Sequence, residues 1–489
     1  MRKELKIHSI KYNFIMNCLL KISGVIFPLI TFPYVSRVLL PEMTGRVAFA
    51  ESVVSYFTLF ASLGIPAYGV RKCAEVRDDR QKLSKTVQEL LIINFASTIL
   101  AYIILFLIVL STPKLLAESK LLYVFSLTIA LKTFGVEWFY ESIEQYDYIT
   151  IRNLVFKIFS VVLLFVFIKR PEDYLKYSFI LVLGTAGSNI LNIVRINQFI
   201  TIKPIKKYDL KKHIQPIIIL FFYYAATTIY TNLDIVMLGF LCGNKEIGYY
   251  NAAIRIKNVL VSIITALGVV VLPRSSYYLS KGQEKEFELL VKRGFGFTCF
   301  VAIAISVFFT VMSFDVILLL AGKDFSNANL SMKFVMPSMI FIGISSVTAW
   351  QLLIPLGRDK YTLIGALLGA LMDFILNLLL IPMMGATGAA IGTLIAEVVV
   401  VIVHFYGLRD QISKLFNYRD TIILLGIAVF DGIVTYKIMS FIKINLLMNI
   451  AISSIMFFSI YLVLSTLMHI SIVKYTLNYI SANFVKKLH

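Results

Sequence analysis

The sequence predicts an all-α polytopic membrane protein, with about fourteen transmembrane helices in two six-helix lobes plus a C-terminal helix pair. Three observations carry this. Of the 489 residues, 58% are hydrophobic and 15% charged, and the mean hydropathy is +0.82, whereas a soluble globular chain carries roughly 25% charged residues. Apolar runs of about 20 residues, the length that crosses a bilayer, recur from end to end. The basic residues fall unevenly between alternate connections. The balance of 47 Lys+Arg against 28 Asp+Glu gives +19, which in a soluble chain would suggest nucleic acid; the hydropathy excludes that reading.

Span 1, at 12–38, follows the basic segment 1–11. It is too long for a signal-peptide core and lacks a small-residue cleavage site, so it reads as a permanent helix. The next spans are at 47–70, 87–110, 121–140, 149–168 and 175–196, which completes a lobe over residues 1–200. Spans 7 to 12, at 214–241, 248–272, 294–320, 332–356, 361–382 and 385–408, form a second lobe over 201–410. Spans 13 and 14, at 421–441 and 446–468, belong with a tail in 411–489, of which 469–489 reads as an interfacial amphipathic segment. No connection is long enough for a soluble domain. Cys18, Cys73, Cys242 and Cys299 fall in different segments with no CxxC pair, so neither a disulfide framework nor a metal site is expected.

Starting inside and alternating sides puts about 30 basic residues in inner segments against about 12 outside, the asymmetry expected of short loops. Arg2, Lys3 and Lys6 before span 1, Arg77 and Arg80 after span 2, Arg152 at span 5, Lys206 after span 6, and Lys486 and Lys487 at the end belong to the inner set. Both termini are then cytoplasmic. Spans 2 and 8 open alike: PEMTGRVAFAES around Gly45 and NKEIGYYNAAIR around Gly248 share Gly-x4-Ala, with a weaker echo around Gly388. Internal repeats enclosing a midplane cavity are common in secondary transporters.

A charge at the bilayer centre costs roughly 2.5–3.5 kcal/mol on insertion scales, so intramembrane polar residues should face protein or water. Span 1 carries Asn13, Asn17 and Lys21 at steps of four; span 2 carries Glu51, Ser52, Ser55 and Ser62. Lys132 and Lys157 lie within spans 4 and 5, where Glu137 could neutralise either. Span 7 has Tyr223, Thr227, Tyr230, Thr231 and Asp234 in register. Span 8 has Asn251, Arg255, Asn258, Ser262 and Thr265 on one face, with Lys257 pointing elsewhere. Span 11 aligns Gly365, Gly369, Asp373 and Asn377, and span 12 Thr393, Glu397 and His404. Each has a blander reading. Small-residue stripes pack helices, Lys21 can snorkel, Tyr146 and Tyr148 fit an interfacial aromatic belt, and His404 fits a satisfied buried histidine. Arg255 is the hardest to dismiss. Cations in a membrane cavity point to an anionic substrate, a phosphate or pyrophosphate headgroup. The substrate-facing set is Arg255, Lys257, Lys21, Asn251, Asn258, Asn17 and Ser52. The carboxylates Asp234, Glu51, Asp373 and Glu397 are candidates to couple transport to Na+ or H+.

Three stretches resemble a known family. TIYTNLDIVMLGFLCGNKEIGYYNAA (228–253) is similar to its helix 7–8 signature, GVEWFYESIEQYDYITIRN (135–153) to its Trp-Phe segment, and FPYVSRVLLPEMTGRVAFA (32–50) to its first hairpin. The chain resembles Wzx-type O-antigen or capsule repeat-unit flippases of the multidrug/oligosaccharidyl-lipid/polysaccharide exporter superfamily. The resemblance implies transfer of undecaprenyl-pyrophosphate-linked oligosaccharide from the inner to the outer leaflet of the bacterial cytoplasmic membrane. It also implies a V-shaped cationic cavity lined by helices 1, 2, 7 and 8, with membrane lipids and polysaccharide polymerase machinery as partners. Family cavities often hold several arginines; here Arg255 is the clearest one and lysines must supply the rest.

The residues leave a second reading, an ion-coupled multidrug/cation antiporter of the same superfamily, although a cationic drug would call for an acidic rather than a basic stripe on span 8. A membrane polymerase or ligase would need a catalytic outer loop, and the chain has neither such a loop nor a Walker, GxSxG or HExxH motif. No enzymatic activity and no cofactor are expected.

Overall fold

The computed structural model describes residues 9–475 apart from Ile202, Lys206 and Lys443, with side chains not described at Ile10 and 266–270. Arg2, Lys3, Lys6, Lys486, Lys487 and the last part of the expected tail, 476–489, lie outside the described residues, as does Lys206. Among the described residues all regular structure is helical. The chain divides into two compact units, Met1–Gly248 and Tyr249–His489. Unit 1 contains α1 (Ile10–Ser62), α2 (Ile65–Ala74), α3 (Arg80–Ser111), α4 (Pro113–Ala117), α5 (Ser119–Gly135), α6 (Glu137–Ser142), α7 (Tyr146–Phe167), α8 (Tyr174–Val182), α9 (Asn189–Arg195), α10 (Lys211–Leu241) and the first turn of α11 (Asn244–Ser280). The remainder of α11 opens unit 2. It is followed by α12 (Glu284–Val311), α13 (Ser313–Leu320), α14 (Ala328–Val335), α15 (Ser338–Val347), α16 (Lys360–Met384), α17 (Ala386–Gly407), α18 (Ile412–Leu415), α19 (Tyr418–Ser440) and α20 (Leu446–Leu467). α10 packs with α1 and α2 and falls in unit 1.

Eleven helices among the described residues are long and apolar enough to cross a membrane, or twelve if the bent pair Pro171–Gly187 and Asn189–Gln198 is one span. The apolar runs predict fourteen spans, and two places explain most of the difference. Predicted span 1 and the first two-thirds of span 2 lie in α1 and the rest of span 2 in α2, the whole counting as one candidate over Lys11–Ala74. The single internal break of α1 is Leu40 at φ 61°, ψ 169°. Pro41 follows it, and a residue before proline is pushed out of the α region. The chain reverses there. Asn13 and Arg77 both reach Glu144 at one end, while Tyr34 donates to the Ile168 carbonyl and Arg46 pairs with Glu118 at the other. Predicted span 8 lies in α11, which is not among the eleven.

Several spans are broken rather than continuous. Span 4 stops at Val136, a β-branched residue in the left-handed region (φ 40°, ψ 44°), before the six-residue α6. Spans 6 and 10 contain π-helical turns at Leu183–Gly187 and Thr348–Leu353, and span 9 divides between α12 and α13.

Segments that the charge count assigns to one side do meet. In unit 1, Glu89 gathers Lys212 (2.9 Å), His213 Nε2 (2.9 Å) and the Asp209 backbone N–H (2.8 Å), and Tyr68 hydroxyl contacts His213 Nδ1 (2.8 Å). The opposite end joins Arg46 to Glu118 (2.9 Å) and Lys114 to Asn244 (3.0 Å). A polar turn also closes there: Lys176 (2.7 Å) and the backbone N–H groups of Lys169 (3.0 Å) and Arg170 (3.1 Å) all donate to Asp173. In unit 2, Arg358 grips Asp410 through both guanidinium nitrogens (2.5 and 2.7 Å), and this pairing lowers the Asp410 carboxyl below its usual range. The repeated glycines approach one another's hairpin openings. A Cβ on Gly45 would strike the backbone of Asn244, and one on Gly248 the Pro41 carbonyl.

Candidate functional site

Unit 1 carries a mixed-charge cluster built by α5, α6, α7 and α9. The left-handed Val136 turns the chain so that Glu137 begins a new short helix. Glu137 lies 3.2 Å from Arg152 Nη2; the arginine side chain is 2% exposed and the glutamate 35%. Arg152 also donates to Asn189 Oδ1 (2.8 Å) and Ser188 Oγ (3.3 Å), and Ser188 donates to Asn153 (2.8 Å). Lys132 is exposed and has Glu137 and Glu51 as electrostatic neighbours. Lys157 has Glu137 as its neighbour and donates to Ser23 Oγ at 2.8 Å. Glu137 therefore serves Lys132, Lys157 and Arg152 together, where spacing alone pairs it with one lysine or the other.

On α1, Asn17 is half-buried and Lys21 exposed, and Lys21 lies one turn from Gly24, the residue that faces Lys157. Asn13 leaves the expected stripe: it is 7% exposed and donates to Glu144 at 3.1 Å. Glu51 is exposed, while its neighbour Ser52 is 4% exposed and faces protein. Asp234 on α10 is buried and has Tyr56 as an electrostatic neighbour.

In unit 2 the α11 stripe is graded: Asn251 is buried, Arg255 half-buried and Asn258 exposed. Lys257, two positions from Arg255 and so turned away from it, is buried. A separate polar pocket forms where α16 packs on α17. Asn377 donates to Asp373 at 3.2 Å, both fully enclosed. Gly392 makes the space for them, since a Cβ there would stand 2.6 Å from Asn377 Oδ1 and 3.0 Å from Asp373 Oδ1. Thr393 contacts the Tyr250 hydroxyl at 2.9 Å, and Glu397 follows one turn later, also buried. Oxygen donors of this type suit a hard monovalent cation or a proton. Among the described residues no group of three or more His, Cys, Asp or Glu could hold a metal ion.

One expectation changes. Arg152 is not loop charge; it sits inside α7 in the Glu137 cluster. Its position a turn and a half from the helix start hides it, because helix ends read from sequence are loose to a few residues. Tyr148 lies 3.9 Å under the Arg195 guanidinium and 5.3 Å from the Tyr140 ring. His404 is satisfied, with Thr348 Oγ1 2.7 Å from Nδ1 and Gly365 against its ring.

The family model described as "Polysaccharide biosynthesis protein" matches residues 10–279, and the MatE model matches 220–379. The chain is 25% identical over 409 residues to a Shigella dysenteriae protein described as "Putative O-antigen transporter", covering 80% of this chain and 98% of that one. An Escherichia coli (strain K12) protein of the same description is 21% identical, covering 80% and 95%. Among solved structures, lipid II flippase MurJ in an inward closed conformation superposes with a TM-score of 0.72 at 17% identity, covering 94% of this chain and 98% of that one. An inward-facing multidrug resistance MATE transporter gives 0.59 at 13% identity, covering 80% and 94%.

Proposed function

Because the chain belongs to the polysaccharide biosynthesis protein family, whose model spans more than half of it, we propose that it is a flippase for lipid-linked oligosaccharides. The carrying observation is the set of cations within helices: in unit 1, Lys21 and Lys132 are exposed and Lys157 is half-buried, and in unit 2 Arg255 is half-buried on α11. An ammonium or guanidinium there is costly against hydrocarbon and is matched by a pyrophosphate, which guanidinium binds bidentately. The cargo is an undecaprenyl-pyrophosphate-linked repeat unit. It moves from the inner to the outer leaflet of the bacterial cytoplasmic membrane by alternating access, with both termini cytoplasmic and the lipid tail remaining in the bilayer. Names of relatives support the substrate class: O-antigen transport for the two bacterial proteins, and glycan biosynthesis flippase for a Haloferax volcanii protein 21% identical over 193 residues.

Deletion of the gene is expected to leave lipid-linked repeat units accumulated on the inner leaflet, measured by leaflet-selective labelling of extracted intermediates. Normal surface glycan with drug hypersensitivity would instead establish the antiporter, the reading favoured by the MatE match. Coupling is assigned to the α16–α17 pocket, with Na+ or H+ at Asp373 beside Asn377, Thr393 and Glu397. Asp234 and Glu51 are the candidate coupling carboxylates of unit 1. Asp373→Asn is expected to slow transport into vesicles at least tenfold under an imposed gradient, with smaller effect when no gradient is applied. Equal rates under both conditions in the wild type would end the assignment.

A further inference from the structure

Unit 2 contains a cavity of about 600 Å³ that none of the transport residues lines. It lies where the start of α12, the segment around α18, the start of α19 and the residues after α20 meet. These are all segments that the charge count places on one side. Its floor is apolar and enclosed: Phe295, Cys299, Leu424 and Ile470 are each 1–2% exposed. Its rim is basic, with Lys292, Arg293, Lys414 and Arg419. Arg293 is held by stacking on Tyr475 at 3.7 Å, and Lys292 has a surface pairing with Glu288 at 3.5 Å. The single carboxylate on the wall, Asp420, is occupied as an acceptor of the Ser471 backbone N–H at 3.0 Å. The first turn of the 23-residue α19 also opens here, adding the partial positive charge of a helix N-terminus.

We infer that this cavity binds the headgroup and upper acyl chain of an anionic phospholipid from the surrounding bilayer. A soluble anion would use the rim and leave the apolar floor unmatched; a neutral or zwitterionic lipid would use the floor and leave the excess positive charge of the rim unmatched. An amphiphile with a phosphodiester satisfies both. The cavity is also placed for it. Leu289 on its wall is 48% exposed, and Ile422, next to the lining residue Thr421, is 69% exposed, so lipid-facing apolar surface begins at its mouth. Basic residues close to an anionic membrane surface attract such headgroups. Such a site is independent of what the protein transports.

The test uses the full chain purified from membranes and exchanged into vesicles of phosphatidylethanolamine with or without phosphatidylglycerol. Native mass spectrometry after detergent extraction is expected to show phosphatidylglycerol retained at least tenfold over phosphatidylethanolamine. Lys414→Glu with Arg419→Glu, both exposed, should remove that preference while the protein still elutes monodisperse. Should the pair misfold, Lys414→Gln with Arg419→Gln gives the same reading at lower contrast. A photo-crosslinking p-benzoylphenylalanine in place of Ser413 should capture phospholipid in native membranes. Equal retention of the two lipids, an unchanged preference in the folded double variant, full displacement by inorganic phosphate, or capture of residues 476–489 or of another protein would each overturn the inference.

Discussion

Arg255→Ala is expected to lower surface glycan export by on the order of 10- to 100-fold, because a charge-assisted hydrogen bond to phosphate contributes about 1.5–3 kcal/mol. Membrane level and thermal stability should remain near wild type, since the side chain is only half-buried. Arg255→Lys should recover part of the loss, keeping the charge and losing the planar fork. The measurement is repeat-unit glycan at the cell surface against protein in the membrane fraction. Full export by Arg255→Ala would remove this residue from the substrate path and return α11 to a packing role.

The second large effect concerns the unit 1 cluster and separates folding from transport. Glu137→Ala leaves Arg152 enclosed without its carboxylate, a change that costs about 3–5 kcal/mol when both partners are buried and less here because Glu137 is partly accessible. The expected result is a clear fall in detergent-solubilised melting temperature, together with loss of export. Adding Arg152→Met to Glu137→Ala removes the stranded charge and should restore most of the thermal stability. Export should stay low in the double variant, because Lys132 and Lys157 also lose Glu137 as a neighbour. Recovery of export along with stability would make the cluster a packing device only.

Helix existence was legible because an apolar run of bilayer length can satisfy its backbone hydrogen bonds in lipid only by coiling into a helix or closing a barrel, and strands in a barrel alternate in polarity. The breaks were not. Val136 and Leu40 are ordinary apolar residues with positive φ, and only Pro41 hints at the second. The stripes were legible as faces but not as environments. Asn13 and Asn17 share one face by spacing, yet one is bound to Glu144 and the other is accessible. That difference depends on a residue more than a hundred positions away. The same distance hides the Glu89–His213 contact. In the α16–α17 pocket the four-residue step exposed Asp373 and Asn377, but the space they occupy is set by Gly392 on the facing helix, which no pattern within α16 could reveal. Spacing separates Lys257 from the face of Arg255, but which of the two is the more buried follows only once the packing direction is known.

The glycine pair at the two hairpin openings has an evolutionary consequence. At most crowded positions a substitution can be rescued by trimming the side chain it strikes. Here the obstacle to Gly45 is the main chain of Asn244, and the obstacle to Gly248 is the main chain of Pro41. No neighbour has anything to trim. A side chain at either position therefore has no second-site suppressor in the side chains it would strike.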